Sequence, residues 1–418
     1  MNVHDSEKIS GTLKSQGYSE TDNPGEADLI VFNTCSIREK AEQKFFSRLG
    51  RFKSLKKSNP NLKIAIAGCI AQRNGAKILQ RTPYVDFVLG PQNIHLLGSL
   101  GTIRSHVVAC EENPLIAESD YLVDRKDHIK ALVTIMYGCN NFCSYCVVPY
   151  TRGHEKSRPS ARILAEIEGL AKEGFKEVTL LGQNVNSYHS DVDFAGLLQN
   201  INKIEGLERI RFVTSHPKDL SDDLIAAMRS LEKVCEHIHL PLQSGSSRLL
   251  KLMNRHYSFT SYMKKIESLR KAIPSIAITT DIIAGFPQES EEDYAWTIRA
   301  LKEIEFDGIF AFNYSPRSGT KAALLHGHID ECIKSRRLGE ILDLQNSITD
   351  RKNKHLEGTI QEILLETETA GGNNSHLTGR TRTNKIVNIP ADGKAGPSDI
   401  VSVKIISTKR HSLEGKII

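Results

Sequence analysis

Between residues 130 and 315 six short apolar runs recur, and a helical stretch follows each one. The runs are Lys130–Met136, Glu177–Gly182, Arg209–Ser215, His237–Gln243, Ile276–Gly285 and Gly308–Ser315. Short runs rich in Val, Ile and Leu point to buried strands. The intervening patterns, such as "SARILAEIEGLAKEG" and "SEEDYAWTIRALKEI", have the spacing of helices. A strand–helix unit repeated in this way leaves few folds open. It predicts a partial (β/α)6 barrel over residues 125–354, with its site at the carboxyl ends of the strands. The polar residues fall where that requires. The runs close on Gln183 and Asn184, Ser215 and His216, Gln243 and Ser244, Gly285, and Ser315 and Arg317.

Residues 1–120 carry "ADLIVFN" (27–33), "KIAIAG" (63–68) and "VDFVLG" (85–90). Helical stretches separate them, the first from Ser36 to about Lys57. This predicts an open parallel α/β domain. Cys35 and Cys69 follow the first two strands, where such sheets bind ligands. Two small buried residues at strand ends would give the same pattern. Residues 355–418 alternate short β-rich runs with Gly, Asn and Pro, which predicts a small all-β unit. A five-stranded barrel of the kind that often binds oligonucleotides fits best. From Lys354 onward nine Lys/Arg face seven Asp/Glu. Arg380, Arg382 and Lys385 cluster in "GRTRTNK" and are candidate RNA contacts, with a solvated surface as the plainer reading.

The net charge of +5, from 55 Lys/Arg and 50 Asp/Glu, permits an RNA partner without demanding one. No window approaches the apolar length of a membrane span, and "MNVHDSEKIS" has no apolar signal segment. A cytoplasmic monomer with no membrane partner is the expectation. Structural disulfides are rare in that compartment, so eight cysteines point to metal or catalytic use of some of them. Three fall in "GCNNFCSYC" (138–146), directly after the first barrel strand, spaced C-x3-C-x2-C. Zinc would need a fourth donor, such as a distant histidine. An iron–sulfur cubane on three thiolates would keep one iron open to a small ligand.

C-x3-C-x2-C after the first strand of a six-unit barrel resembles the radical S-adenosylmethionine (SAM) superfamily. The segments "NTCSIREKAEQK", "AGCIAQR", "GCNNFCSYCVVPYTRGHEKSRP", "LLGQNVNSY", "TSHPKDL", "LPLQSGSSRLLKLMNRHY" and "DIIAGFPQESEEDY" together resemble that superfamily's tRNA methylthiotransferases. The resemblance covers nearly the whole chain: a methylthiotransferase domain, a radical SAM barrel and a C-terminal TRAM domain. It implies a [4Fe-4S] cluster on Cys139, Cys143 and Cys146, whose open iron binds SAM and whose electron releases a 5′-deoxyadenosyl radical. It implies that Tyr145 lies near the SAM adenine and that Gly182 and Gln183 lie near its amino group. Ser215, Gln243 and Gly285 are implied SAM or substrate contacts. Cys35 and Cys69 match ligands of an auxiliary [4Fe-4S] cluster, while Cys110, Cys235 and Cys332 match no motif.

The implied reaction replaces the C2 hydrogen of an N(6)-isopentenyl adenosine beside the tRNA anticodon with a methylthio group. SAM supplies both methyl and radical, and an electron donor and a sulfur source are further partners. That C–H bond carries no acidic proton, so a carbon radical suits it better than acid–base chemistry. Sister activities on another tRNA adenosine or on a ribosomal-protein aspartate share the plan. A non-catalytic RNA-binding metalloprotein is the reading from another class. The family's auxiliary cluster takes a third cysteine from a "GCQMN" segment, of which "MNVHDSEK" keeps only the end. An upstream start or a truncated chain would each account for this. The chain as it stands is expected to lack that ligand and its strand.

Overall fold

Four strands, β1 (Leu29–Thr34), β2 (Lys63–Gly68), β3 (Phe87–Leu89) and β4 (Val107–Ala109), pair in parallel in chain order. The computed structural model describes residues 1–35, 39–102, 106–369, 375–391, 393 and 395–418. The chain forms two compact units, and this sheet belongs to the first, made of residues 1–126, 136–142 and 146–159. β2 explains why the sheet is buried on both faces. Its Ile64 and Ile66 pack with Leu49, Leu62 and Val88, while Ala65 and Ala67 pack with Phe87, Leu89 and Ile94 on the other side. Alternate residues of one strand thus feed two cores. Each fully buried Ile or Leu contributes roughly 1.5–3 kcal/mol. β1 forms one edge of the sheet, beside a groove of about 1280 Å³ lined by residues such as Ile9, Leu13, Val31 and Leu97.

Three of these strands match the sequence expectation. β4 and the helix Asn2–Ser15 are additional. The start of the expected helical stretch, Ser36–Arg38, lies outside the described residues. The remainder forms the helices Glu39–Gly50 and Phe52–Ser58.

The second unit comprises residues 127–135, 143–145 and 160–418. Strands β5 (Lys130–Thr134), β6 (Glu177–Leu181) and β7 (Arg209–Phe212) form one parallel sheet. Strands β8 (His237–His239), β9 (Ala277–Ala284) and β10 (Gly308–Asn313) form a second. A single parallel bridge joins Ile210 of β7 to Val234, three residues ahead of β8, and the strands follow chain order within each sheet as the repeat predicts. Serine caps start several of the covering helices. Ser258 and Ser290 form full capping boxes with Ser261 and Asp293. Such a cap is worth about 1 kcal/mol.

Each of the six expected barrel strands ends earlier than read, and two of the breaks have a clear cause. The run Lys130–Met136 breaks after Thr134, and Met136–Tyr137 instead pairs antiparallel with Lys156–Ser157 in the first unit. His237–Gln243 keeps only its first three residues as strand. Pro241 has no N–H to donate to a ladder, and Gln243 rejoins through one bridge to Ile282.

The small barrel is closed. Its strands β11 (Ile360–Thr369), β12 (His376–Thr381), β13 (Ile386–Pro390), β14 (Ile400–Thr408) and β15 (Leu413–Ile417) follow the order β11-β12-β13-β15-β14. Ile363, Leu365, Leu377, Val387, Val403, Ile405 and Leu413 fill it. It docks across the amino ends of the large barrel's strands. Lys130, first in β5, pairs with Glu366 at 2.8 Å. Arg209, first in β7 and fully buried, pairs with Glu362 at 2.8 Å and donates to the Arg380 carbonyl at 2.8 Å. Arg211 donates to the carbonyls of Thr381 and Arg382 at 2.8 Å and pairs with Glu177 at 2.8 Å. The carboxyl ends therefore remain for the site. No described helix is long and apolar enough to cross a membrane.

Candidate functional site

The loop that carries three cysteines is fixed by backbone geometry at several points. In the first unit Gly138 has φ 71°, and a Cβ there would run into the His154 carbonyl. The Cys139 amide donates to the Gly153 carbonyl at 3.2 Å. Phe142, itself at φ 45°, packs edge-on against Tyr150. Cys139 is buried, and the sulfur of half-buried Cys146 accepts from the Val148 amide at 3.4 Å. In the second unit the Ser144 amide donates to the Met253 carbonyl at 2.9 Å. The Ser144 carbonyl accepts from the Ala322 amide at 2.7 Å. Tyr145 packs against Leu249, Met253, Phe286 and Tyr314. Cys143 is buried, and its sulfur accepts from Arg255 Nη1 at 3.3 Å.

The carboxyl rim of the second unit is built on unusual backbone. Thr214, Gln243 and Gly285, each just past a barrel strand, have φ of 70°, 69° and 71°. A β-branched threonine in that region is strained, and such strain gathers at functional sites. A Cβ on Gly285 would meet the side chain of Lys334. The Gly285 amide donates to Glu289 at 2.7 Å. Gly182 is buried and Gln183 half-buried.

Buried polar atoms on this rim without a partner among the described residues include Gln183 Oε1, Asn184 Oδ1, Ser215 Oγ and His216 Nε2. His216 Nδ1 accepts from the Lys218 amide at 3.2 Å, so the neutral ring carries its proton on Nε2. Burial, then the nearby Arg255 and Lys218 charges, push its pKa down to about 2. The ring is therefore a neutral donor. Unpaired buried polar groups of this kind are costly unless a ligand or water completes them. His216 and Arg255 were not singled out as site residues from the sequence. Nothing in "LLKLMNRHY", which also holds Lys251, Asn254 and His256, singles Arg255 out before its burial and partners are known.

The other pair of candidate thiols lies in the first unit. Thr34 of β1 pairs in register with Gly68 of β2, so Cys35 and Cys69 directly follow paired residues on adjacent strands. Arg152 is buried and pairs with Asp5 at 2.6 Å. Burial opposes its charge, but Asp5 and Cys69 outweigh it and raise its pKa. The Cys110 thiol donates to the Ala71 carbonyl at 3.4 Å, and burial raises its pKa. Burial pushes the Cys235 thiol up to about 11, while Cys332 is exposed.

The basic turn of the small barrel is engaged inside the second unit. Arg382 pairs with Glu236 at 2.8 Å and donates to the Glu232 and Val234 carbonyls at 2.8 Å. Lys385 donates to Asn353 at 2.9 Å, and burial lowers its pKa. Half-buried Arg380 reaches Glu366 at 3.4 Å.

Among the described residues, no three His, Cys, Asp or Glu side chains gather as a single bound ion would require. The donor chemistry fits an iron–sulfur cluster in another respect. N–H donors reach two of the sulfurs, from Arg255 to Cys143 and from the Val148 amide to Cys146, and such hydrogen bonds suit sulfurs that ligate a cluster.

Residues 1–90 match an uncharacterized protein family, UPF0004, residues 133–301 the radical SAM superfamily, and residues 354–418 the TRAM domain. A tRNA-2-methylthio-N(6)-dimethylallyladenosine synthase of Thermodesulfovibrio yellowstonii is 58% identical over 420 residues, spanning 100% of this chain and 96% of that protein. The enzyme of the same name from Clostridium perfringens is 48% identical over 431 residues, spanning 100% and 95%. Among solved structures, the radical SAM methyltransferase TsrM of Kitasatospora setae aligns with a TM-score of 0.54 at 13% identity, over 76% of this chain and 66% of that one. The cobalamin-dependent radical SAM enzyme OxsB aligns with a TM-score of 0.51 at 12% identity, over 77% and 49%. At such identities the structures establish the fold, and the full-length relatives establish the family. The chain belongs to the radical SAM tRNA methylthiotransferases.

Proposed function

We infer that this chain exchanges the C2 hydrogen of N(6)-isopentenyl adenosine, beside the anticodon of a tRNA, for a methylthio group. The observation that carries the reading is 58% identity across the whole chain to a synthase named for that product. A SAM-loaded iron–sulfur cluster supplies the one-electron chemistry that opens an unactivated C–H bond. Cys139, Cys143 and Cys146 are its ligands, supported by their spacing on one loop and by the N–H donors at two of the sulfurs. Tyr145, with its apolar neighbours, offers a surface for the SAM adenine. Gly182, Gln183, Ser215, Gln243 and Gly285 contact SAM or the target base. The unpartnered atoms of Gln183 and Ser215 support this.

Cys35 and Cys69 contribute to a second, auxiliary cluster. Their adjacent strand ends and the Arg152 charge beside Cys69 favour it. The small barrel holds the tRNA. Arg380, Arg382 and Lys385 already meet internal partners, so the exposed Lys404 and Lys416 are better disposed toward phosphates. The enzyme draws on a separate electron donor and sulfur source and works as a cytoplasmic monomer.

Anaerobic reconstitution with iron and sulfide tests the reading. The reduced protein should cleave SAM to 5′-deoxyadenosine. It should also convert isopentenyl-adenosine tRNA to the methylthio product, read by nucleoside mass spectrometry. A colourless protein that leaves SAM and tRNA unchanged overturns it.

A further inference from the structure

Arg255 is 4% exposed, yet among the described residues it pairs with no carboxylate. Its Nε donates to Tyr257 Oη at 2.9 Å, its Nη2 to the Pro241 carbonyl at 3.1 Å, and its Nη1 to Cys143 Sγ at 3.3 Å. Two of those partners are neutral. A buried cation without a counter-charge is costly, and of the three partners only the sulfur, once it ligates a cluster, can supply one. Asn254 and His256, on either side of Arg255, both have φ 57°. Asparagine and histidine are among the side chains that best tolerate this left-handed region. One on each side, they turn the chain where it carries the buried Arg255. Tyr257, which also donates to the Pro241 and Leu242 carbonyls at 2.9 and 3.0 Å, braces the guanidinium.

We propose that Arg255 is the built-in counter-charge of the cluster ligated at Cys143, donating to that sulfur and making the cluster easier to reduce. The proposal rests on the reading of Cys143 as a cluster ligand. Reduction adds one negative charge to the site. A fixed positive charge in a dry pocket favours the reduced form, and a hydrogen bond to a ligating sulfur acts in the same direction. Arg255 is thus a positioning and tuning residue that acts through Cys143.

The test compares wild-type, Arg255→Gln and Arg255→Lys proteins, reconstituted anaerobically and titrated by electron paramagnetic resonance without SAM. Arg255→Gln should disfavour reduction at least tenfold, a midpoint about 59 mV lower for a one-electron couple. Arg255→Lys, which keeps the charge, should lose much less. Iron that loads into the Lys variant and not into the Gln variant also supports the proposal. An unchanged midpoint in Arg255→Gln overturns it, as does a Gln variant that loses only SAM affinity, which would make Arg255 a SAM contact instead. Equal failure of both variants to load iron overturns it too, because packing and not charge would then be the cause. Wild-type protein that takes up no iron refutes the cluster reading itself, a distinct result.

Discussion

His216 and His237 are both kept neutral by burial. Burial first, then neighbouring positive charge, brings His216 down to about 2 and His237 down to about 3, from an ordinary 6.5. A lowered folded pKa means that the unfolded chain takes up the proton first as pH falls. Stability is therefore intact above about 6.5 and declines below it, by about 1.4 kcal/mol per pH unit for each ring, until the folded value is reached. Between about pH 6.5 and pH 5 each histidine should remove about 2 kcal/mol. Urea midpoints at the two pH values give the fall, and His237→Gln should reduce it. An undiminished acid loss in that variant would show that the imidazole does not titrate as its burial implies. At this scale the sequence was least informative. Cys139, Cys143 and Cys146 announce themselves by spacing. The unpartnered nitrogen of His216 and the guanidinium of Arg255 acquire meaning only from burial and from partners that lie far away in sequence.

The elements were more legible. Six β/α units, a parallel sheet ahead of them and a closed five-stranded barrel behind follow from apolar runs and turn residues. What escaped was set by pairing rather than composition. β4 is three residues long, too short for periodicity to mark. The break at Ile135 exists because Met136–Tyr137 finds an antiparallel partner at Lys156–Ser157, about twenty residues on. The "GRTRTNK" turn suggests a nucleic-acid contact by composition, but its cations meet Glu236, Glu366 and Asn353 within the fold. The ion pair of Arg211 with Glu177, both buried, anchors this docking. Arg211→Met would leave Glu177 buried and unpaired, a loss of about 3–5 kcal/mol. It would also remove the donors to Thr381 and Arg382. Limited proteolysis near residues 355–359 should then release the C-terminal barrel. Unaltered protease resistance would show that the other contacts suffice.

At the scale of the whole molecule the net charge of +5 is too small to hold a polyanion without a local grip. Lys404 and Lys416 stand opposite each other on β14 and β15 and are exposed. Replacing both with alanine should weaken tRNA binding and flatten its salt dependence by about one unit of slope per lysine. A slope unchanged across a salt titration would exclude them from the phosphate contact. The two ends of the barrel strands have unlike neighbours: the small barrel docks at the amino ends, and the Cys143–Tyr145 segment follows the carboxyl end of β5. A five-residue strand such as β5 is about 17 Å long. The strands thus act as a gauge. A free nucleoside can engage only one end, whereas a folded stem-loop is long enough to engage both. On the proposed function, a substrate that touches both ends must reach at least that far, a condition set by backbone length.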